Sequence, residues 1–295
     1  MGFKMLKWMP PAVSEFIYTV LLKPKPLRKI AQAIIKTMIP PQMEMQGVTL
    51  FLNQDDPVLC GALTLGCYEQ FELKIFQSLL RPGMCVLDLG ANIGLYSMVA
   101  AKAVGPEGRV VAVEPDERNC RFVEKTAKYN GFQNLTLVCK AVSDKTGGGK
   151  LYLCGDNKAD HRIYDNNNLR EAVEIELTSV DDLRKEKGIV KVDVMKMDIQ
   201  GAEAMALRGM KTVLKANHDI RIIMELWPWG ISQTGGQALD VLHEIRDLGF
   251  NIFEIDGNKR AMTLVTDDRS LASLDKERQH ANLLLQRGEH VPVVD

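Results

Sequence analysis

The chain has 295 residues, 46% of them apolar and 25% charged, with a formal net charge of −1. That length fits one large α/β domain or two small ones, and the composition is ordinary for a soluble globular protein. The near-neutral balance gives no global case for nucleic-acid binding, and the longest N-terminal apolar run, "FIYTVLL", falls far short of the ~20 residues a membrane span needs.

The six cysteines, at 60, 67, 85, 120, 139 and 154, form no C-x-x-C pair. That pattern suits reduced, packed thiols in a cytosolic protein better than a disulfide frame or a zinc site. Pro10-Pro11 and Glu15 break up any signal peptide.

Residues 1–46 form a basic extension, with Lys4, Lys7, Lys23, Lys25, Arg28, Lys29 and Lys36 against Glu15 and Glu44. "SEFIYTVLL" and "LRKIAQAIIKTMI" read as helices, the second stopped by Pro40-Pro41. In the second, Leu27, Ile30, Ile34 and Met38 can share a face. The plain reading is a packing helix, and the sharper one a basic surface resting on a membrane.

From residue 47 the rhythm changes to one domain running to 295. "VTLFL" is a strand and "CYEQFELKIFQSLL" a helix ended by Arg81-Pro82-Gly83. "VLDLG", "RVVAVEP" and "LTLVCKAV" are strands separated by helical runs, the second of which ends at Asn130-Gly131. "KLYLC" and "EIELT" follow as extra strands, and Ser179 with Asp182 opens a short helix. "DVMKMDI", "RIIMEL" and "NIFEI" are further strands, with "AMALRGMKTVLKA" and "QALDVLHEIRDL" as the intervening helices. Either "AMTLV" or "ANLLLQ" closes the sheet, and the second is preferred. Such alternation predicts an α/β fold, a mainly parallel sheet with helices on both faces.

Ligands of these sheets bind at the carboxyl ends of the strands. The turn "VLDLGANIGLYS" is therefore the place to ask what binds. It fails the G-x-G-x-x-G dinucleotide pattern, with Asn92 and Leu95 at the second and third glycine positions, and it has no Walker lysine. Asp88 is also unwelcome beside phosphate. S-adenosyl-L-methionine meets both objections, since it carries no phosphate. Its ammonium can be balanced near Asp88, its carboxylate can take backbone N–H groups at the helix start, and its ribose can be held by Glu114 at the next strand end.

The blocks "VLDLGANIGLYSMVAA", "VVAVEPDERNCRFVEKTAKYNG", "KAVSDKTG", "TSVDDL" and "VMKMDIQGAEAMALRGM" resemble, in order and spacing, the FkbM family of S-adenosylmethionine-dependent O-methyltransferases. The upstream "LGCYEQFELKIFQSLLRPG" resembles that family's helix before the first strand. The resemblance covers roughly Val48 to Met210, and the family often has Glu where this chain has Gln200. It implies a class I methyltransferase (Rossmann-like) fold: seven strands, the last antiparallel, helices on both sides. It further implies that Gly90, Ala91, Asn92 and Gly94 wrap the cofactor and that Glu114 holds its ribose. Ala141 and Val142 would line the adenine, Tyr68 and Glu69 would approach from the lid side, and Asp198 would sit beside the reacting methyl.

For transfer to a hydroxyl, Asp198 at the end of its strand is the first candidate base. Glu225 ends the following strand, with Trp227 and Trp229 behind it as a wall for a sugar or ring acceptor. His161, between the extra strands, is a further candidate base. Asp193, Asp198 and Glu203 are scattered acids rather than a ligand cluster, so no metal is expected. The acceptor expected is a small molecule, a carbohydrate or a glycolipid. Nucleic acid is not expected, because the body after residue 46 is acidic and lacks an Asn/Asp-Pro-Pro-Tyr/Phe run. The alternative is a non-catalytic cofactor-binding scaffold.

Overall fold

The structure is a computed structural model that describes residues 25–155, 158, 160–165, 170–274 and 279–288. The helix expected at "SEFIYTVLL" lies outside the described residues.

Helix α1 (Lys25–Met38) stops just before the two prolines. It packs on a different face from the one expected. Ile35 and Ile39 are buried, whereas Ile30 and Ile34 are 61% and 55% exposed. Periodicity permits both stripes, and the neighbour, α2 (Leu59–Leu65), selects one of them. Between these helices runs a hairpin of β1 (Gln42–Met45) and β2 (Val48–Phe51). Its turn uses Gln46 and Gly47, both at positive φ, so the expected division at 46/47 falls inside a hairpin. Ile35, Ile39, Val48 and Leu50 share one core with Val86 and Met98 of the sheet domain. The described part of the extension is therefore built into that domain rather than appended to it.

Helix α3 (Gln70–Leu79) leads into β3 (Cys85–Leu89), α4 (Leu95–Val104), β4 (Arg109–Val113), α5 (Glu117–Asn130) and β5 (Leu135–Val138). Asp116 caps α5 by accepting from the N–H groups of Arg118 and Asn119 at 2.7 and 3.2 Å. The expected strand over 135–142 breaks in two, and β6 (Ala141–Val142) leaves the main sheet. It pairs with β8 (Glu171–Thr178), which also pairs with β7 (Gly147–Leu153) in a separate three-stranded sheet. Ser179 accepts from the Asp182 N–H at 3.1 Å and opens α6 (Val180–Glu186) as expected.

The chain continues through β9 (Val194–Met197), α7 (Glu203–Arg208), α8 (Lys211–Ala216) and β10 (Arg221–Leu226). One helix was expected where α7 and α8 stand. They part at Gly209, where a Cβ would press on the Ser143 carbonyl. Then follow α9 (Pro228–Gln233), α10 (Ala238–Asp247), β11 (Asn251–Asp256), β12 (Ala261–Leu264), α11 (Asp268–Ala272) and β13 (Ala281–Gln286).

The main sheet has eight strands in the order β12-β11-β13-β10-β9-β3-β4-β5. From β10 to β5 every pairing is parallel, and β13 is antiparallel to both β10 and β11. The segment preferred for the closing strand is thus β13. The other candidate is also a strand, an eighth one at the edge beside β11. Separate apolar cores cover the two faces, one led by Leu87, Met195 and Ile222, the other by Val86, Val194 and Ile223. Among the described residues no helix is long and apolar enough to cross a membrane.

Candidate functional site

Strand order reverses between β3 and β9, and the crevice of an open α/β sheet lies at such a switch point. A cavity of about 620 Å³ opens there. The turn after β3 is locked to its neighbours. Gly90 and Ala91 donate to the Val113 carbonyl at 2.9 and 3.0 Å, and Asn92 N–H donates to Glu114 Oε2 at 2.9 Å. Gly90 stands at φ +84°, and a Cβ there would collide with the Asp198 carbonyl. This close approach is why the turn begins with glycine.

Glu114 is buried and holds the turn on one side and α5 on the other. Its Oε1 accepts from Asp116 N–H at 3.0 Å and from Asn119 Nδ2 at 3.1 Å. Burial pushes its carboxyl up to about 7. Asp88, also buried, accepts from Ser97 Oγ at 2.5 Å, and burial raises it to about 6. Asn92 sits at φ +51°, and its buried Oδ1 has no hydrogen-bond partner among the described residues.

A cluster of charge fills the floor. Asp198 and Glu225 both line the cavity. Gln200, at φ +52°, bridges them by donating Nε2–H to Asp198 Oδ1 at 2.7 Å and to Glu225 Oε1 at 3.3 Å. Glu225 Oε2 lies 3.7 Å from His280 Nε2. Burial, and then the Asp198 charge, holds the Glu225 carboxyl well above the usual carboxylate range. Glu69, itself at φ +38°, accepts from Tyr96 Oη at 2.7 Å, and Tyr68 lines the cavity beside it. Among these acids stands Lys196, which the sequence reading passed over. It is 2% exposed and its Nζ is 3.7 Å from Asp198 Oδ2. A lysine inside the apolar strand "VMKMDI" was the available signal, because a strand covered on both faces buries every side chain it carries.

The β7–β8 excursion forms the far wall. His161 was expected as a base, and the structure gives it a different role. Its Nδ1 accepts from the Cys154 N–H at 3.0 Å, and its Nε2 faces Asp116 Oδ2 at 3.2 Å. Both nitrogens are committed, so the ring pins the excursion to the end of β4 and has no lone pair left for a substrate proton. The reason is tertiary: the loop folds back over β4. Arg162 is clamped by Asp160 at 2.6 and 2.9 Å, with its guanidinium 4.5 Å from the Trp227 ring centre and 5.2 Å from that of Trp229. The two indoles, 5.2 Å apart, thus grip an arginine. Ala141 and Val142 are buried and line the cavity.

The family model described as the methyltransferase FkbM domain matches residues 88–252. The chain belongs to the FkbM methyltransferase family. Its cofactor is therefore S-adenosylmethionine. Among curated relatives, one named ribosomal RNA large subunit methyltransferase E of Acinetobacter baumannii is 40% identical over 126 residues, 34% of this chain and 58% of the relative. A protein of the same name from Cellvibrio japonicus is 50% identical over 52 residues, 18% of this chain and 25% of the relative. The FkbM chain thus spans less than two thirds of the length of these relatives. A solved FkbM methyltransferase from Methylobacillus flagellatus KT superimposes with a TM-score of 0.41 at 14% identity, covering 88% of this chain and 59% of that one.

These relatives correct one expectation. Nucleic acid had been excluded on an acidic body and an absent motif, yet the matched relatives carry ribosomal RNA in their name. Net charge averages over a whole surface and does not decide what one crevice admits.

The FkbM site fits its cofactor on its own chemistry. The orphaned Asn92 Oδ1, the buried Glu114 and the buried Asp88 are acceptors facing one cavity. A ligand rich in hydroxyl and ammonium donors supplies what they lack. This arrangement predicts a pH dependence. Were Glu114 to accept from a ribose hydroxyl, its ionised form would be favoured, with the carboxyl near 7, and were Asp88 to hold an ammonium, its ionised form would be, near 6. Calorimetry should therefore show S-adenosylhomocysteine binding weakening by about tenfold per pH unit below neutral. The slope should steepen as Asp88 also gains a proton, and binding just below neutral should release protons to buffer. Affinity that is flat between pH 8 and pH 5 would refute this.

Proposed function

We propose that this FkbM chain methylates a hydroxyl group, with the Asp198–Glu225 pair receiving the acceptor's proton. The observation that supports this is the Gln200 bridge, which holds the two carboxylates together at the cavity floor. The cofactor, when bound, supplies a methyl group on a cationic sulfonium. Asp198 takes the hydroxyl's hydrogen bond and then its proton, and Glu225, whose carboxyl burial holds well above the usual carboxylate range, is tied to it through Gln200. An amide that neither gains nor loses a proton joins the two carboxyl groups. Gln200 is itself held, since Tyr164 Oη donates to its backbone carbonyl at 3.0 Å.

The acceptor we infer is a sugar-type hydroxyl, and the ribose of RNA falls within that class. The Trp227 indole lines the cavity, backed by Trp229 and stiffened by Arg162, and suits the flat apolar face of a sugar or base. Trp227→Ala should raise the acceptor KM about tenfold, roughly the worth of one aromatic face, and leave S-adenosylhomocysteine affinity unchanged. Incubation with S-adenosylmethionine and separate pools of RNA and glycan, read by fragment mass spectrometry, tests the reading. An O-methyl product supports it, and a methyl found only on nitrogen or carbon overturns it.

A further inference from the structure

The amino-acid end of S-adenosylmethionine carries a carboxylate as well as an ammonium, and the site must answer both. The expectation that backbone N–H groups of the glycine turn take the carboxylate is narrowed, since four of them are already spent. Gly90 and Ala91 have given theirs to Val113, Asn92 to Glu114, and Gly94 to the Ala91 carbonyl. The cavity's other lysines and arginines are also engaged. Lys140 pairs with Glu176 at 2.9 Å, Lys158 reaches the Cys154 carbonyl at 3.5 Å, and Arg162 and Arg170 are both held by Asp160.

Lys196 is different. It lines the cavity, it is almost wholly buried, and its Nζ makes no hydrogen bond among the described residues. An ammonium has three donors, and leaving them unspent out of water is costly. Burial alone would lower its pKa, but the carboxylates of Asp198, Glu69, Glu225 and Asp88 outweigh that and hold it above the usual lysine value. It is therefore a fixed cation and not a base. Strand register places it directly beside Asp88, Lys196 on β9 opposite Asp88 on β3. Directly paired residues of parallel strands point to the same face, so one cation and one carboxylate stand together in the wall.

We propose that the Lys196 ammonium anchors the carboxylate of the cofactor's methionine end, while Asp88 beside it answers the ammonium. The proposal rests on S-adenosylmethionine as cofactor. It makes Lys196 a cofactor-binding residue.

Binding of three probes to the full chain tests it. They are S-adenosylhomocysteine, its decarboxylated analogue that keeps the amine, and 5′-methylthioadenosine, which lacks the amino-acid end. The unmodified protein should prefer S-adenosylhomocysteine to the decarboxylated analogue by about 30-fold or more, as a charge-assisted buried bond implies. That comparison needs no variant. Lys196→Met should erase the preference. It should weaken S-adenosylhomocysteine by the same factor, leave methylthioadenosine unchanged, and hold or strengthen the decarboxylated amine, since removing a cation from an acid cluster favours a ligand cation. Lys196→Arg should recover part of the loss. Equal binding of S-adenosylhomocysteine and its decarboxylated analogue by the unmodified protein overturns the proposal. So does a Lys196→Met variant that keeps full S-adenosylhomocysteine affinity and loses only turnover, which would place the lysine with the acceptor. Binding of the carboxylated and decarboxylated ligands with no response to any methionine-end change would do the same. Failure of the unmodified chain to bind either S-adenosylhomocysteine or methylthioadenosine would instead strike the cofactor assignment, and this proposal with it.

Discussion

Asp198→Asn should lower kcat by about a hundredfold to ten-thousandfold, the usual range for losing a positioned proton acceptor. The substitution is nearly isosteric, and an asparagine oxygen can still accept from Gln200 Nε2, so the bridge geometry survives. What disappears is the negative charge that receives a proton and stands 3.7 Å from the Lys196 ammonium. Affinity for S-adenosylhomocysteine should change less than tenfold, because Glu114, Asp88 and the Gly90 turn are untouched. The two measurements separate the roles. A fall in kcat with affinity kept marks a residue acting on the acceptor. A fall in affinity alone marks a cofactor contact. Turnover within a few-fold of the unmodified protein, with an acceptor in hand, would remove Asp198 from the chemistry. The rate of the unmodified protein should rise toward alkaline pH as the Glu225 carboxyl, held above the usual range by burial, ionises, and Glu225→Gln should flatten that rise.

Gly90→Ala should cost about 2–5 kcal/mol of stability and abolish measurable cofactor binding. Two penalties add. The residue is at φ +84°, where an alanine is strained, and its Cβ would meet the carbonyl of Asp198. Neither side can retreat easily: Asp198 N–H donates to the Leu89 carbonyl at 3.0 Å, and Gly90 N–H donates to Val113. Moving the carbonyl would drag the Asp198 carboxylate with it. Gly131→Ala is the control. Gly131 has φ +72° in the ordinary left-handed region, but nothing lies within 4 Å of its would-be Cβ. Its cost should be the backbone term alone, about 1 kcal/mol, with binding intact. Urea unfolding of both variants measures the difference, and equal costs would show that the close approach contributes nothing.

Much of the scaffold was legible because its signals are local. Strands β3, β4, β9 and β10 are runs of apolar residues, as strands buried on both faces must be. The Gly90 turn and Glu114 were legible from spacing, since consecutive strand–helix units carry them to the same sheet edge. Less local features were misjudged. The buried stripe of α1 was misassigned because Ile30, Ile34, Ile35 and Ile39 satisfy two overlapping helical faces, and only packing chooses between them. The short helix α2 and the α9 turn lack the length for a periodic signal, so they went unread. The break between α7 and α8 follows from a carbonyl of Ser143 far away in the chain.

The sequence by itself determined the alternating strands and helices, the phosphate-averse turn with its two acids, and the family to which these belong. Those properties are written in neighbouring residues, where spacing and side-chain chemistry act directly. Only the tertiary structure decided which charges meet. It set Lys196 beside Asp88 through the pairing of β9 with β3, joined Asp198 to Glu225 through the amide of Gln200, and turned His161 from a candidate base into a fastening on Asp116. These contacts link residues from 2 to more than 100 positions apart. Their partners are fixed by strand order and by the burial of charge away from water, and no local pattern carries that information.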